Sequence, residues 1–368
     1  MIAEGTSLSG WDRGVRGDEI LYVLFTSGST GAPKGVLVSA GNVESFLSWT
    51  KNGFGYSEGP LAFLNQAPFH FDLSVYELYN AAISGGSLLS LPSRLAKDPE
   101  RLFGQLFQYA DTLEVWVSTP SFLRYCASHA EFQERRFPRL QQFVQIGEVF
   151  PVPLARECLS RFPRARVFNF YGPTEATVAH TVFEVTRQSI EGRSELPVGR
   201  SKPDGRVLLE GGEIILAGPN VAWGYAGESF DSAGKFETVN GERRYRTGDL
   251  GEWDADGLLL FRGRRDSQVK VNGHRVELGE IERELSRVSG VEICCVGFTS
   301  VDGGPWLTAY VQAAQVTDED ELAFGKRLKR ALAERLPAYM IPKRIIRVAE
   351  MPINVNGKID RASLRENH

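Results

Sequence analysis

Short apolar runs alternate with helical patterns along most of the chain, from residue 20 to about residue 262. The first run, Ile20–Phe25, has no polar alternation and is rich in aromatic and branched side chains, which predicts a buried strand. A short strand is expected at Val36–Val38, and Asn42 is placed to cap a helix that passes through Phe46 and Trp49. Alternation of this kind is typical of layered α/β structure.

The same pattern continues through the first two thirds of the chain. Further strands are predicted at Leu61–Pro68, Ser87–Leu91, Val115–Val117, Phe143–Ile146 and Val167–Phe170, and further helices at Val75–Ile83, Asp98–Tyr109 and Pro153–Phe162. Between Glu213 and Arg262 the segments become shorter, alternate with period two and are separated by Gly, Asp and Asn. That stretch is predicted to be a β-rich subdomain.

The pattern changes again beyond Arg264. Amphipathic helices are predicted at Glu277–Ser286 and Glu319–Arg335, and strands at Val291–Phe298 and Trp306–Gln312. About a hundred residues is an ordinary domain size. We therefore predict a large α/β domain with a β-rich subdomain at residues 1–264 and a small α+β domain at residues 265–368.

Composition and charge exclude several classes of function. The 368 residues are 42% hydrophobic and 24% charged with a net charge of -4, which gives no indication of a nucleic-acid or membrane partner. No apolar stretch approaches ~20 residues, and the N-terminus lacks a signal-peptide pattern. The four cysteines have neither metal-ligand spacing nor a disulfide framework. A cytoplasmic protein with reduced thiols is expected.

Residues 25–35, Phe-Thr-Ser-Gly-Ser-Thr-Gly-Ala-Pro-Lys-Gly, concentrate glycines, hydroxyls and one cation between two predicted strands. Glycines let backbone N–H groups approach an anion, hydroxyls donate to phosphate oxygens, and a lysine neutralises charge. The spacing is not that of a Walker A loop. The stretch fits either a phosphate cradle of another kind or a Ser/Gly-rich surface loop.

Two further stretches carry candidate chemistry. Asp72 lies in an aromatic frame at the start of a predicted helix, where it is either a helix N-cap or a carboxylate that binds a substrate ammonium. Residues 169–175, Asn-Phe-Tyr-Gly-Pro-Thr-Glu, join a tight bend, an aromatic face, a hydroxyl and a carboxylate. Mg²⁺ is usually held by one or two carboxylates and nucleotide oxygens, so Glu175 is a candidate ligand unless the stretch is only a structural turn.

These motifs, with Thr247-Gly248-Asp249, residues 263–270 and residues 354–360, resemble those of the adenylate-forming superfamily in the same order. That superfamily includes acyl-CoA synthetases, luciferases and the adenylation domains of peptide synthetases. The resemblance runs from about Leu21 to Arg361. It is strongest to the ligases that activate D-alanine and pass it to the phosphopantetheine thiol of a small carrier protein.

The resemblance implies an ATP site with Mg²⁺ bound at Glu175. The residues implied to contact ATP are Thr26, Ser27, Gly28, Ser29, Thr30, Lys34, Asn169, Tyr171, Gly172, Asp249 and Arg264. Among these, Tyr171 would stack on adenine and Asp249 would accept from the ribose hydroxyls. Thr174 and Glu175 would belong to the catalytic machinery together with Lys358, which would bridge the substrate carboxylate and the α-phosphate.

Members of this superfamily swing the small domain between an adenylating and a thioester-forming pose. The resemblance places the hinge at Asp266 and implies that the Gly273 loop replaces the Lys358 loop at the active site. His274 is expected to be structural rather than catalytic.

Asp72 occupies the position at which amino-acid-activating members bind the α-amino group, whereas members that activate fatty or aryl acids lack this aspartate. The residues implied to line the substrate pocket are Asp72, Leu73, Tyr76, Ser118, Val144, Ile146, Phe170, Val178 and Ala179. Ile146 and Phe170 are larger than their counterparts in the D-alanine ligases. The larger walls favour alanine, in either stereochemistry, or glycine.

The predicted phosphate loop lies near residue 30, whereas superfamily members carry a long region before it. This indicates a naturally short form, a truncated chain or one part of a split enzyme. Strand edges and apolar faces are then expected to be exposed, and a partner protein that supplies the missing region would cover them.

The expected function is ATP-dependent adenylation of a small amino acid, followed by transfer to the phosphopantetheine thiol of a carrier protein. An acyl- or aryl-CoA synthetase is the competing enzyme, and Asp72 disfavours it. A nucleotide-binding, non-catalytic subunit that completes a partner is the other alternative, and the presence of both Lys358 and Glu175 disfavours it.

Overall fold

The computed structural model describes residues 16–26, 33–92, 95, 98–227, 234–265, 268–301, 304–313, 320–352, 359 and 363–364. Within these ranges the strands are β1 (Ile20–Thr26), β2 (Lys34–Ser39), β3 (Ala62–Asn65), β4 (Ser87–Ser90), β5 (Val115–Ser118), β6 (Gln142–Gln145), β7 (Arg166–Tyr171), β8 (Thr181–Val185), β9 (Arg200–Ser201), β10 (Arg206–Glu210), β11 (Glu213–Ala217), β12 (Gly224–Tyr225), β13 (Phe236–Val239), β14 (Glu242–Trp253), β15 (Leu259–Arg264), β16 (Gln268–Val271), β17 (His274–Glu277), β18 (Val291–Val301), β19 (Gly304–Ala313) and β20 (Arg344–Val348). The helices are α1 (Ala40–Gly53), α2 (Leu73–Ser84), α3 (Pro99–Gln108), α4 (Pro120–Ala127), α5 (Val152–Arg161), α6 (Leu278–Ser286) and α7 (Glu321–Ala333).

A seven-stranded sheet in the order β4-β3-β5-β6-β7-β8-β9 forms the centre of the first part of the chain. The strands from β4 to β7 are parallel, and β8 and β9 add antiparallel strands at one edge. Every residue of β3, β5 and β6 is buried, as expected for parallel strands covered on both faces. One apolar cluster lies around Trp116 and Phe143, and another around Phe46 and Phe170.

The strand predicted at Ile20–Phe25 is present, but the prediction that it is buried is wrong. No residue of β1 is buried, and Ile20, Val23 and Phe25 are 42%, 39% and 67% exposed. Among the described residues, this strand is at the edge of a three-stranded sheet, β1-β2-β12, and pairs only with β2. An uninterrupted apolar run therefore does not distinguish a central strand from an edge strand.

Helix α1 begins earlier than predicted because Ser39, not Asn42, is its N-cap. The Ser39 hydroxyl accepts from the Asn42 backbone N–H at 3.2 Å, and the Asn42 side chain accepts from the Ser39 backbone N–H at 2.9 Å. This is a capping box in which asparagine takes the place of the usual glutamate or glutamine. The Asn42 amide also donates to the carbonyls of Pro219 and Val221, so that the start of α1 is fixed to a distant segment.

The predicted β-rich region is a five-stranded antiparallel arrangement in the order β10-β11-β14-β13, with β15 paired to β14. Strand β14 is long enough to pair with β11 and β13 through its first half and with β15 through its second half. It contains Thr247 and Asp249, which are thereby placed at the side of the large sheet. The α/β layers with a β-rich subdomain agree with the predicted fold class.

In the last part of the chain, α6 and α7 pack with the sheet β18-β19-β20 around Ile281, Val296, Leu307 and Leu328. The short hairpin β16–β17 precedes them and contributes Val271 and Val276 to the same cluster. The division of the chain at residues 264 and 265 remains a prediction. No helix in the described part of the chain is both long and apolar enough to cross a membrane.

Candidate active site

The carboxyl ends of neighbouring parallel strands bring most of the predicted substrate residues together. The segment after β3 leads to Asp72, β5 ends at Ser118, Ile146 follows β6, and β7 ends at Tyr171. In open α/β sheets, ligands bind in the crevice beyond this edge of the sheet. The site is therefore where a sheet of this topology would place it.

Asp72 immediately precedes α2, but its side chain does not cap the helix. Instead, its Oδ2 atom accepts a 2.8 Å hydrogen bond from the Thr174 hydroxyl. Burial raises the pKa of Asp72 to about 6, although the Thr174 hydrogen bond and the charge of Lys270 oppose this effect. Of the two interpretations that the sequence left open, side-chain capping is wrong, and the carboxylate is directed into the site.

The segment before Asp72 is fixed by a buried carboxylate that the sequence analysis did not single out. Glu77, on α2, accepts from the Asn65 amide at 2.6 Å and from the backbone N–H groups of Gln66 and Ala67, both at 3.2 Å. Burial raises the pKa of Glu77 to about 8. The sequence contained one indication of this role, because Glu77 is an acidic residue on an apolar face of the predicted helix.

The apolar members of the predicted pocket share one cluster of buried side chains. These are Leu73, Tyr76, Val144, Ile146, Phe170, Val178 and Ala179. The Phe170 ring is surrounded by Trp49, Phe54 and Tyr76, with centroid distances of 5.4, 5.2 and 5.7 Å. Ser118 is also buried, but its hydroxyl accepts from the indole of Trp116 at 2.8 Å, and Trp116 belongs to the other apolar cluster.

The turn that follows β7 has a strained backbone. Thr177 and Val178 have positive φ angles of 48° and 71°, which a β-branched residue adopts at a cost of about 1–3 kcal/mol. A Cβ atom at Gly172 would lie 2.6 Å from the Cα atom of Ala179, so only glycine fits there. The Thr177 hydroxyl donates to the carbonyl of Asn220 at 2.7 Å and holds this turn in place.

The predicted adenine and ribose residues contact one another directly. The Tyr171 hydroxyl donates to Oδ2 of Asp249 at 2.5 Å, and Arg264 forms an ion pair with Oδ1 of the same carboxylate. The second nitrogen of the Arg264 guanidinium donates to the carbonyl of Thr247 at 3.1 Å. Strands β7, β14 and β15 thus supply three predicted ATP-binding residues to one hydrogen-bonded group.

Glu175, the predicted Mg²⁺ ligand, has no exposed side-chain surface and is paired with Arg275. One guanidinium nitrogen of Arg275 lies 2.8 Å from Oε1 and 2.9 Å from Oε2, and the Tyr225 hydroxyl donates to Oε1 at 2.6 Å. Burial raises the pKa of Glu175, but the charge of Arg275 and the Tyr225 hydrogen bond outweigh burial and leave it below its usual range. The Nζ atom of Lys34 lies 5.2 Å from the centre of the Tyr225 ring.

The hairpin β16–β17 reaches into this site from the last part of the chain. The backbone N–H of Gly273 donates to Oε1 of Glu148 at 2.6 Å, and the other oxygen of Glu148 accepts from the backbone N–H of Ser121 at 3.0 Å. The contact is close, because a Cβ atom on Gly273 would lie 2.6 Å from the methyl group of Thr119.

Two other side chains of the hairpin region lie near predicted site residues. Lys270 is half-buried, and its desolvation lowers its pKa, whereas the charges of Asp249 and Asp72 act in the opposite direction. His274 stacks on Tyr339 with a centroid distance of 3.9 Å, and burial lowers the pKa of His274 to about 4. A neutral, stacked imidazole is compatible with the structural role expected of His274.

Some predicted site residues are not brought into this group. The Asn169 amide donates to the carbonyl of Pro197 at 2.8 Å, and Thr26 pairs with Lys34 across β1 and β2. Ser27, Gly28, Ser29, Thr30, Asp266 and Lys358 lie outside the described residues. Within the described ranges, no group of three or more His, Cys, Asp or Glu side chains is arranged to hold a metal ion.

Arg275, Glu148, Lys270 and Tyr225 are the main additions that the structure makes to the predicted site. Lys270 lies within a motif that the sequence analysis quoted and Arg275 lies two residues after Gly273, but no role was predicted for either side chain. Tyr225 and Glu148 meet the site through tertiary structure, and the sequence analysis predicted no role for either.

Comparison with known proteins identifies the family of this chain. The sequence model described as "AMP-binding enzyme" matches residues 7–226, and that of the "AMP-binding enzyme C-terminal domain" matches residues 280–358. The D-alanine–D-alanyl carrier protein ligase of Bacillus licheniformis is 42% identical over 99% of this chain and 75% of its own length. The chain therefore spans about three quarters of that relative.

Two solved structures show the same fold. The Vibrio cholerae adenylation domain AlmE, in complex with glycyl-adenosine-5'-phosphate, has a TM-score of 0.82 at 24% identity, over 96% of this chain and 67% of its own. Holo-PA1221, an NRPS protein containing adenylation and PCP domains, has a TM-score of 0.76 at 26% identity, over 95% of this chain and 60% of its own. The AMP-binding enzyme sequence model alone covers more than half of the chain. The protein therefore belongs to the AMP-binding enzyme family of the adenylate-forming superfamily.

Proposed function

We propose that this protein adenylates a small amino acid with ATP and then transfers the aminoacyl group to the phosphopantetheine thiol of a carrier protein. The substrate is alanine, in either stereochemistry, or glycine. The observation that carries the proposal is Asp72, a buried carboxylate at the start of a helix that packs in the same apolar cluster as Phe170. The similarity to a D-alanine–D-alanyl carrier protein ligase supports the same chemistry.

In the first step, a carboxylate oxygen of the amino acid attacks the α-phosphorus of ATP, and the bond to pyrophosphate breaks. Positioning and neutralisation of charge account for most of the catalysis in phosphoryl and nucleotidyl transfer. Asp72 would pair with the substrate ammonium, and Tyr171, Asp249 and Arg264 would hold the nucleoside. Lys358, as the sequence motif implies, would reach the carboxylate and the α-phosphate.

A divalent cation at Glu175, when bound, would neutralise phosphate charge. The donor type is suitable, since Mg²⁺ is commonly held by one carboxylate and nucleotide oxygens. In the present arrangement, however, Arg275 already contacts both oxygens of that carboxylate. Glu175 could therefore hold the cation only after Arg275 moves away.

In the second step, a carrier-protein thiol attacks the acyl carbon and AMP leaves. The docked hairpin β16–β17, with Gly273 against Thr119 and Glu148, supports assignment of the present arrangement to this step. In this proposal, residues 1–264 bind the substrate and the nucleotide, residues 265–368 form the mobile part, and Asp266 is the hinge.

Mass spectrometry of a carrier protein incubated with this enzyme, ATP, Mg²⁺ and an amino acid tests the proposal. We expect a mass increase on the phosphopantetheine arm that corresponds to one alanyl or glycyl group. Loading should require ATP and should disappear in Asp72→Ala. If fatty or aryl acids with coenzyme A are consumed instead, the protein is an acyl- or aryl-CoA synthetase and Asp72 does not select the substrate.

A further inference from the structure

The carboxylate of Glu175 has no room for a cation while the hairpin β16–β17 is docked. A single guanidinium nitrogen of Arg275 lies almost equally far from its two oxygens, at 2.8 and 2.9 Å, and therefore sits in front of the carboxylate. Tyr225 donates to Oε1 from another direction at 2.6 Å. The position from which a cation would approach both oxygens is thus taken by a positive charge.

The distances around Glu175 show that Arg275 and a cation cannot occupy this position together. Mg²⁺ binds carboxylate oxygens at about 2.0–2.1 Å. An ion so close to either oxygen would lie next to the guanidinium of Arg275, in an environment where Glu175 has no solvent exposure to screen the repulsion. Conversely, Glu175 without either partner would be an uncompensated buried charge, which folded proteins avoid.

Arg275 is positioned at Glu175 by the hairpin that carries it. It lies in β17, one residue from His274 and two from Gly273, whose N–H is bound by Glu148 at 2.6 Å. Gly273 packs so closely on Thr119 that there is no space for even a methyl group. The His274 ring, stacked on Tyr339, links the hairpin to the last part of the chain. The Arg275 side chain is itself bound to the hairpin, because its Nε donates to Oε1 of Gln268 on β16 at 2.8 Å. We therefore expect Arg275 to leave Glu175 when the hairpin undocks.

We propose that Arg275 and a divalent cation exclude one another at Glu175, so that the hairpin β16–β17 docks only when the cation has left. The inference rests on the proposed function in one respect, namely that Glu175 binds the cation that accompanies ATP. The inference also gives a physical reason why adenylation precedes transfer to the carrier protein. Departure of the cation with pyrophosphate leaves the charge of Glu175 uncompensated, and Arg275 then supplies the replacement charge that favours docking.

Binding of Mn²⁺ in the presence of a non-hydrolysable ATP analogue measures this competition directly. Free Mn²⁺ is followed by its EPR signal for the wild type, Arg275→Ala and Glu148→Ala. We expect Arg275→Ala to bind Mn²⁺ about tenfold more tightly, since no guanidinium has to be displaced. Lys270→Ala is the matched control, because it removes one positive charge from the same hairpin without removing a contact to Glu175.

The variant Glu148→Ala distinguishes an effect through hairpin docking from a direct effect of charge on Mn²⁺ binding. This variant removes a negative charge from the vicinity of the site, which by electrostatics alone should weaken Mn²⁺ binding. It also removes the acceptor of the Gly273 N–H and so weakens docking of the hairpin. Our proposal therefore requires tighter Mn²⁺ binding in Glu148→Ala. Weaker or unchanged binding would overturn it, as would equal effects of Arg275→Ala and Lys270→Ala.

A distance measurement gives a readout that does not depend on cation affinity. Spin labels at Gln108→Cys and Leu322→Cys, both exposed, report the separation of α3 and α7 in a background without native cysteines. With the ATP analogue, addition of Mg²⁺ should lengthen or broaden the distance distribution of the wild type. In Arg275→Ala the distribution should already be broad without Mg²⁺. An unchanged, narrow distribution in both proteins would contradict the inference.

Failure of this inference can be told apart from failure of the proposed function. Amino-acid-dependent exchange of pyrophosphate into ATP by the wild type tests the function alone. Exchange together with unaltered Mn²⁺ binding in Arg275→Ala rejects only the competition at Glu175. A shift in Mn²⁺ binding without exchange by any amino acid leaves the competition intact and rejects the assigned reaction.

Discussion

The hydroxyl of Thr174 donates a 2.8 Å hydrogen bond to the carboxylate of Asp72, although 102 residues separate them in sequence. The bond joins the turn after β7 to the segment that begins α2. A donor is therefore already in place at the carboxylate before any substrate ammonium arrives. Such preorganisation reduces the entropy that binding must overcome.

The raised pKa of Asp72 predicts a pH dependence of substrate capture. Burial raises this pKa to about 6, and only the ionised form attracts an ammonium. We expect kcat/KM for the amino acid to be flat above pH 6 and to fall about tenfold per pH unit below it. In Asp72→Asn this acidic limb should be absent. An identical limb in wild type and variant would assign the titration to another group.

Glu77 is predicted to stabilise the segment that leads to Asp72. Glu77→Ala leaves the Asn65 amide and the N–H groups of Gln66 and Ala67 without their acceptor, at ~1–3 kcal/mol for each buried group. We expect the free energy of unfolding in urea to fall by about 3 kcal/mol. Glu44→Ala, at an exposed position of α1, is the control and should change it by less than ~0.5 kcal/mol. Similar losses in both variants would contradict a specific role for Glu77.

The elements that the sequence predicted well are those in which local pattern and tertiary burial agree. Parallel strands such as β5 and amphipathic helices such as α3 are recognised because each has a regular apolar face or an apolar run. The exposure of β1 was not predictable in this way. The apolar residues of an edge strand look the same in sequence as those of a central one.

Gly273 provides a test of the docked hairpin. Gly273→Ala places a Cβ atom 2.6 Å from Thr119 at a φ of +83°, so the hairpin cannot dock as it does here. We expect carrier-protein loading to fall about 10–100-fold, the effect of ~1–3 kcal/mol of overpacking, while pyrophosphate exchange is retained.

Gly290→Ala is the matched control for that variant. Gly290 has a similar φ of +86°, but its nearest neighbour beyond the adjoining chain is a flexible arginine side chain at 3.9 Å. Gly290→Ala therefore introduces the same backbone strain as Gly273→Ala but no steric clash. If both variants lose loading equally, or if Gly273→Ala loses exchange as well, the contact with Thr119 has no specific role in transfer.

Phe170 is predicted to limit the size of the substrate side chain. Its ring fills the space between Trp49, Phe54 and Tyr76, so Phe170→Leu should enlarge the pocket. One additional methylene in an apolar pocket changes discrimination by ~1–3 kcal/mol. We expect kcat/KM for 2-aminobutyrate relative to alanine to increase about tenfold in pyrophosphate exchange. Phe168→Leu, two residues earlier on β7, should leave that ratio unchanged, and a similar shift in both would contradict the prediction.

Short motifs predicted Asp249 and Glu175 as site residues, and the chemical roles assigned to them remain predictions. What the sequence did not reveal is which residues partner them. Arg275 and Tyr225 meet Glu175 from strands that are 100 and 50 residues away along the chain. Such contacts depend on how sheets pack and how the hairpin β16–β17 docks, and neither leaves a local signature.

Amino-acid-dependent exchange of pyrophosphate into ATP tests the central claim most directly. The wild type and Asp72→Ala are compared with D-alanine, L-alanine, glycine, serine and several larger amino acids. We predict exchange by the wild type with alanine or glycine, and a loss of about 10²–10³-fold in Asp72→Ala, comparable to removal of one preorganised electrostatic contact. Full amino-acid-dependent exchange by Asp72→Ala, or no exchange with any amino acid by the folded wild type, would contradict the account.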